Sequence, residues 1–249
     1  MPANPLATPE GAIDVVGEMV AEHRRIMGLG RVTTKPGVHP GRFAAVAGLN
    51  SHAHALAEAA LPLWNSTTAQ VACVPLARAA FECGLLAQWL SRDPEAMNAM
   101  VVEYERQQRA LAEEVSLVPF LTHLVEPMLE GLTGATSPKS ATARSWKLIC
   151  KQFVGGDVLY AHYRLLCRYT HASIPALEQW LDTTEVGTGL PFTLRAIREP
   201  EKAFIVFFGW ALLFTASAYG DLVRVDRGYN NRLNRWAFRM SIDRRLRLV

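Results

Sequence analysis

The side chains best suited to chemistry lie in two mostly apolar stretches, Arg78 and Glu82 in the first and Arg164 and His171 in the second. The members of each pair are four and seven residues apart, so a helix would place them on one face. An imidazole with a pKa of about 6.5 can accept the proton of a 2′-hydroxyl or protonate a leaving oxygen. An arginine can stabilise the charge that develops on phosphorus. The spacing therefore predicts a metal-free phosphodiester site, in which Arg78 and Glu82 position His171 or the phosphate.

The same residues also fit a purely structural ion-pair network. Arg78 and Glu82 are the only charged residues of their stretch, and charges in an apolar helix need partners. In this alternative Arg78 and Arg164 both pair with Glu82 between packed helices, and His171 stabilises the C-terminal end of its helix. The second stretch shows no continuous polar face. We therefore expect its helix to be largely buried, with Arg164 lining a cleft or a seam.

The elements that must position these residues are helices. Helical periodicity predominates, no alternating strand pattern occurs, and stretches rich in Gly, Pro, Ser or Thr separate the helical segments. Residues 1–249 predict a single all-α, bundle-like domain of about eight to ten helices. We expect residues 1–11 to be flexible and 224–249 to form a basic C-terminal helix. The other helices are predicted at 12–27, 42–64, 67–92, 96–115, 119–131, 141–152, 160–171 and 199–225.

Composition and motifs exclude several classes of function. Half of the residues are apolar and 20% are charged, which is typical of a globular protein. The four cysteines lie among apolar neighbours without CxxC spacing, which argues against zinc ligation. GxGxxG, GxxxxGK[ST] and GxSxG motifs are lacking, and we predict no cofactor and no metal. Free thiols and the lack of a secretory signal indicate the cytoplasm.

One segment, 203–220, has no charge in 18 residues, which is just long enough to cross a membrane. Its last residues are small or carry hydroxyl groups, as at Thr215, Ser217 and Gly220, and such residues favour close packing. We expect a buried helix at the centre of the domain. A membrane anchor is the alternative.

The C-terminal segment 224–249 carries eight arginines and two aspartates, whereas the whole chain has a net charge of +3. Arginine forks well onto phosphate and carboxylate oxygens. The segment is therefore a candidate for binding RNA or another polyanion. In the alternative, its arginines form ion pairs with the acidic body of the protein.

The segments 76–95 (LARAAFECGLLAQWLSRDPE) and 163–173 (YRLLCRYTHAS) resemble a widespread bacterial helical family of unknown function. Its members tend to show Ala-Arg-x-x-x-Glu, then Trp-Leu, then Tyr-Arg-x-x-Ser-x-x-x-His. Cys167 stands where that serine is common. The resemblance implies a helical fold and adds Tyr163 to the candidate residues. The matching residues are Arg78, Glu82, Trp89, Tyr163, Arg164 and His171.

The spacing Arg164-x6-His171 is also similar to the Arg-x(4–6)-His signature of HEPN ribonucleases, helical domains of toxin–antitoxin and phage-defence systems. This resemblance implies metal-independent RNA cleavage in a cleft that two copies of the chain form as a homodimer. Leu165 follows the arginine, where that family usually has a polar residue.

The sequence thus indicates a cytoplasmic bacterial helical protein of uncharacterised activity, for which one hypothesis is a HEPN-like, metal-independent ribonuclease of a defence or toxin type. One alternative is a non-catalytic binding or assembly module whose Arg/Glu network is structural. Another is a membrane-associated helical protein anchored by 203–220. The candidate catalytic residues are Arg164, His171, Arg78, Glu82 and Tyr163.

Overall fold

A computed structural model describes residues 8–30, 32–64, 72–170 and 204–249, together with the backbone of 181–183 and 192–194. These residues form ten α-helices, one 3-10 helix and two short strands. The α-helices are α1 (Pro9–Met27), α2 (Pro40–Trp64), α3 (Cys73–Arg92), α4 (Ala96–Ser116), α5 (Val125–Leu129), α6 (Ser140–Ala143), α7 (Trp146–Cys150), α8 (Gly156–Arg168), α9 (Phe204–Leu222) and α10 (Arg227–Arg239). The 3-10 helix is Pro119–Leu124, and the strands are β1 (Leu181–Thr183) and β2 (Phe192–Leu194).

The prediction of an all-α, multi-helix fold is confirmed. The two strands pair antiparallel over three residues each, too few to show an alternating pattern in the sequence. The helix predicted at 141–152 is instead divided into α6 and α7. Helix α6 ends at Ala143, and Ser145 caps α7, because its side-chain oxygen accepts a hydrogen bond from the backbone N–H of Leu148 at 3.4 Å.

Helix α1 begins at Pro9, so the prediction of a flexible start over 1–11 is wrong for residues 9–11. Thr8 is extended, and its side-chain oxygen accepts a hydrogen bond of 3.1 Å from the backbone N–H of Gly11. Proline at the first helical position and Glu10 in the first turn also favour a helix start. Residues 1–7 lie outside the described part of the chain.

Helix α9 forms the centre of the core and packs most extensively against α3 and α2. Sixteen of its 19 residues are buried. The α3–α9 contact is close because Gly84 has no side chain. A Cβ at that position would lie 3.1 Å from the carbonyl oxygen of Ala211 and 3.2 Å from its Cα.

By length and composition alone, α9 could cross a membrane, and no other helix in the described ranges meets that test. However, 83% of its apolar 18-residue window is buried inside the fold. This burial is what the core-helix interpretation of 203–220 requires.

The basic segment 224–249 is not one helix. Helix α10 ends at Arg239, and Ser241 adopts a left-handed backbone with φ of 52°, which stops helical propagation. The chain then runs back beside α7, where the N–H of Val154 donates to Arg247 O at 2.8 Å and that of Val249 to Gln152 O at 2.9 Å. The predicted helix over 224–249 is therefore wrong outside Arg227–Arg239.

A single buried side chain, Gln88, joins this last segment to the core. Its Nε2 donates to Phe214 O at 2.7 Å and to Arg244 O at 3.4 Å. Its Oε1 accepts from the N–H of Leu246 at 3.1 Å. One amide thus connects α3, α9 and the segment after α10.

Candidate functional site

Arg78 is the centre of a hydrogen-bonded cluster that joins α3 to the end of α8. Its Nε donates to Glu82 Oε1 at 3.0 Å, its Nη1 to Thr170 Oγ1 at 3.1 Å and its Nη2 to the Tyr163 hydroxyl at 3.2 Å. The guanidinium carbon also lies 5.5 Å from the centre of the Tyr163 ring, in the range of a cation–π contact. The Arg78 and Glu82 side chains are each 23% exposed, so the cluster is partly open to solvent. The predicted contact between Arg78 and Glu82 is present.

The surroundings of this cluster keep Arg78 and Tyr163 protonated. Partial burial opposes the charge of Arg78, but Glu82, Tyr163 and Cys167 together outweigh it, and the pKa of Arg78 lies above its usual value. Burial, with Cys167 and Glu82 nearby, raises the pKa of Tyr163. At neutral pH both groups are protonated, so neither can act as a general base there.

Arg164 does not belong to this cluster, so that part of the predicted network is wrong. Its side chain is exposed, and it makes no hydrogen bond or ion pair with Arg78 or Glu82 in the described part of the chain. Helix α8 does have a solvent face. The apolar Val158, which is 60% exposed, belongs to it, which is why the sequence showed no continuous polar stripe. The exposed residues are Asp157, Val158, Ala161, Arg164 and Arg168.

His171 lies outside the described residues, as does the segment 172–180 that follows it. Helix α8 ends at Arg168, so the helical spacing that pairs Arg164 with His171 applies only up to that residue. The neighbouring Thr170 is described and accepts a hydrogen bond from Arg78. The catalytic pairing of Arg164 with His171 therefore stays a prediction from the sequence.

A cleft of about 840 Å³ lies between the exposed side of α8 and α7. Its walls combine cations with aromatic rings, and no carboxylate lines it among the residues that the structure describes. Tyr163 belongs both to this cleft and to the Arg78 cluster. The cations are Arg144, Lys147, Arg164 and Arg168, and the aromatic residues are Trp146, Tyr160 and Tyr163.

The three aromatic residues form a continuous group. The Tyr160 and Tyr163 rings are stacked with centroids 6.0 Å apart, and the Trp146 ring lies 5.7 Å from that of Tyr163. Aromatic rings of this kind can stack with nucleic-acid bases, and neighbouring cations can contact the phosphates.

Two local features fix the shape of the cleft. Gly156 allows α7 and α8 to meet, because a Cβ there would lie 2.3 Å from Cys150 O. The buried carboxylate of Glu103 orients Arg144 by accepting a hydrogen bond of 3.2 Å from its Nε. Glu103 also binds Arg106 at 2.7 Å, so a residue of α4 holds the cleft residue Arg144 in position.

Three cysteines are poorly suited to nucleophilic catalysis. Burial raises the pKa of Cys73 to about 11 and those of Cys83 and Cys150 to about 12. Thiols with such pKa values are inert at neutral pH. Within the described ranges, no group of three His, Cys, Asp or Glu residues is arranged to hold a metal ion.

A stacked histidine pair, His23 and His54, lies between α1 and α2 with ring centroids 4.2 Å apart. His54 Nδ1 lies 2.7 Å from Asn50 O, and Asn50 Nδ2 lies 3.3 Å from His23 Nδ1. Burial and the neighbouring His23 lower the pKa of His54 to about 3, and burial lowers that of His23 although Glu58 opposes it. Both rings are therefore neutral at pH 7 and act in packing.

The C-terminal arginines are in part bound to the acidic body, as the alternative reading of 224–249 expects. Arg232 forms ion pairs of 2.8 Å with Glu22 and Asp226. Arg239 binds Glu18 at 2.6 Å, and Arg245 contacts Asp221. These arginines stabilise the fold and are less available to a partner.

The sequence analysis missed the cleft residues Arg144, Trp146, Lys147, Tyr160 and Arg168. A signal for them exists, because residues 144–168 hold five cations and one acid, with aromatic residues between them. Basic residues interleaved with aromatic ones are typical of nucleic-acid binding.

Known proteins give no further indication of function. No protein-family model matches the sequence, no curated protein matches it, and no solved structure matches the fold.

Proposed function

We propose that this protein binds single-stranded RNA in the cleft between α7 and α8. The single observation that carries the proposal is the lining of that cleft by four cations and three aromatic residues with no carboxylate among the described residues. Cations attract the phosphates, and aromatic rings offer stacking surfaces to the bases. The faces of the bases are accessible in a single strand, whereas a duplex stacks them inside the helix, so we expect a single strand to bind. RNA rather than DNA follows from the resemblance to HEPN ribonucleases.

The two parts of the cleft have separable roles. Lys147 and Arg164 are exposed and supply charge for the phosphate backbone. Tyr160 and Trp146 supply rings at the side of the cleft. Stacking contributes about 1–3 kcal/mol per base, so the loss of one ring should weaken binding by about 5- to 150-fold.

Fluorescence anisotropy with a labelled single-stranded RNA tests the proposal. Tyr160→Leu keeps an apolar side chain and should weaken binding, as should Lys147→Gln combined with Arg164→Gln. Arg224→Gln combined with Arg235→Gln removes the same charge outside the cleft and is the matched control. Equal affinity for single-stranded and duplex RNA, or equal losses in the cleft and control variants, would contradict the proposal.

A second candidate function is metal-independent cleavage of the bound RNA. It is supported by Tyr163, which joins the cleft to the Arg78 cluster, and by Thr170, the chain neighbour of His171, in that cluster. Incubation with total RNA in EDTA, comparing the wild type with His171→Ala, separates cleavage from binding. Since HEPN-type cleavage implies a homodimer, sedimentation of the active protein should then give twice the mass of the chain.

We also propose that the protein is located in the cytoplasm. This location is supported by the three buried free thiols, which are typical of proteins in a reducing compartment. Fractionation of cells that express the protein tests this location. Recovery in the membrane fraction would favour the anchored alternative.

A further inference from the structure

A cluster of arginines surrounds a single carboxylate where α3, α9 and the C-terminal segment meet. Arg92 Nη2 lies 3.5 Å from Asp221 Oδ2, and Arg245 donates to the other oxygen of the same carboxylate. Arg244 lies in the same cluster and donates to Asn230 Oδ1 at 3.1 Å. Two arginines thus contact one carboxylate and a third lies close enough to feel the charges of all three groups, so the cluster has an excess of positive charge.

The cluster is short of hydrogen-bond acceptors as well as of negative charge. Arg92 uses Nη1 to donate to Leu246 O at 2.6 Å, but its Nε is buried and has no hydrogen-bond partner in the described part of the chain. Burial lowers the pKa of Arg92, with Arg245 contributing although Asp221 opposes it, and burial together with Arg245 lowers that of Arg244. Like charges held together in this way are stabilised by a further anion.

The solvent side of the cluster is a cleft of about 860 Å³. Arg244, Arg245 and Arg247 line it, with Asp243 as the one carboxylate among its described lining residues. Ala237 and Ile242 supply an apolar wall. The cleft therefore combines a cationic end with an apolar side and has the size of a small-molecule site.

We propose that this C-terminal cleft binds a phosphate dianion, free or at the end of a small phosphomonoester, through Arg244, Arg245 and Arg247. Guanidinium groups fork onto phosphate oxygens, and a dianion balances the excess charge of the arginine cluster. The cleft is larger than a phosphate, so the apolar wall has room for the organic part of a monoester. The site is independent of the RNA-binding cleft, because the two share no lining residue.

Thermal unfolding with two probes, inorganic phosphate and ribose 5-phosphate, tests the proposal against sodium chloride at the same ionic strength. At ten times its Kd, a ligand should raise the Tm of a protein of this size by about 3–5 °C. A rise with ribose 5-phosphate indicates a monoester site, and a rise with inorganic phosphate alone indicates a site for the free ion. Either supports the proposal, and no saturable rise with either probe overturns it.

Substitutions test whether the rise in Tm depends on the arginines of the C-terminal cleft. Arg244→Gln with Arg247→Gln should abolish the rise, whereas Arg224→Gln with Arg235→Gln, which removes equal charge elsewhere, should retain it. If the loss of the Arg244–Asn230 contact prevents folding, Arg247→Gln alone serves, because Arg247 is exposed. Lys147→Gln with Arg164→Gln should keep the phosphate response and lose only RNA binding. The proposal is overturned if the rise in Tm survives in both Arg244→Gln/Arg247→Gln and Arg247→Gln. It is also overturned if the rise disappears in Lys147→Gln/Arg164→Gln.

Discussion

Arg78 and Tyr163 bind each other across two helices, with Nη2 of the arginine donating to the tyrosine hydroxyl at 3.2 Å. The same guanidinium holds Glu82 on its own helix and Thr170 after α8. This side chain therefore adds polar contacts to the apolar packing that holds α8 on α3. Because Tyr163 also lines the cleft between α7 and α8, for which we propose RNA binding, the contact couples the stability of the fold to the shape of that cleft.

The first prediction compares two arginines of the candidate set. Arg78→Ala removes hydrogen bonds to a charged and to neutral partners and should lower the free energy of unfolding by about 1.5–3 kcal/mol. Arg164→Ala, at an exposed position, should change it by less than about 0.5 kcal/mol. Urea denaturation followed by circular dichroism measures both. If the two variants unfold at the same urea concentration as the wild type, Arg78 has no structural role.

The second prediction concerns the close contact between α3 and α9. Gly84→Ala would place a methyl group 3.1 Å from the backbone of Ala211, and overpacking of this kind costs about 1–3 kcal/mol. Gly48→Ala is the control, since nothing lies within 4 Å of its Cβ position on α2. That variant should gain about 0.5–1 kcal/mol from the higher helix propensity of alanine. A stabilising effect of Gly84→Ala would show that the helices can separate freely.

The third prediction is a pH dependence that originates at His54. Its folded pKa of about 3 lies below that of the unfolded chain, so acid protonates the unfolded state first. Stability is therefore fully present above pH of about 6.5 and is lost as the pH falls towards 3. Between pH 6.5 and 5, His54 alone should account for a loss of roughly 1.5 kcal/mol.

Denaturant titrations of His54→Gln at these two pH values measure that loss. The variant should lose most of the pH dependence in this range, whereas His52→Gln, at an exposed position two residues away, should keep it. Parallel pH profiles for the wild type and His54→Gln would assign the effect to other groups.

The fourth prediction is the salt dependence of RNA binding. Each phosphate contact on a single strand contributes about −0.7 to the slope of log K against log salt concentration. Lys147→Gln with Arg164→Gln should therefore make the slope shallower by about 1.4, while Tyr160→Leu lowers affinity with the slope unchanged. Anisotropy titrations at several salt concentrations give the slopes. An unchanged slope in the double variant would place the phosphates elsewhere.

Periodicity was sufficient to predict the helical fold and the Arg78–Glu82 contact, because both depend on residues close together in sequence. It also predicted the central helix α9, because a run of apolar residues with small ones at its end favours burial. These features follow from local pattern alone.

The features that periodicity missed depend on tertiary contacts. Val158 is apolar but exposed, and this is why α8 was expected to be largely buried. Arg164 was expected to line a cleft or a seam, and it does line the cleft between α7 and α8. Arg144 becomes a cleft residue only because Glu103 of α4, 41 residues away, holds it there. The backbone of 247–249 pairs with 152–154, and no helical or strand pattern in either segment encodes that partnership.

The amide of Gln88 makes the last segment part of the same cooperative unit as the core. The N–H of Leu246 donates to the fully buried side chain of Gln88 on α3, so it can reach solvent only when this part of the segment separates from the core. Hydrogen exchange at Leu246 should therefore require an opening nearly as costly as global unfolding, whereas the exposed end of the segment can fray at little cost. Arg245 and Arg247, which line the C-terminal cleft, are the chain neighbours of Leu246, so the hydrogen bond from Leu246 to Gln88 fixes the backbone that carries them.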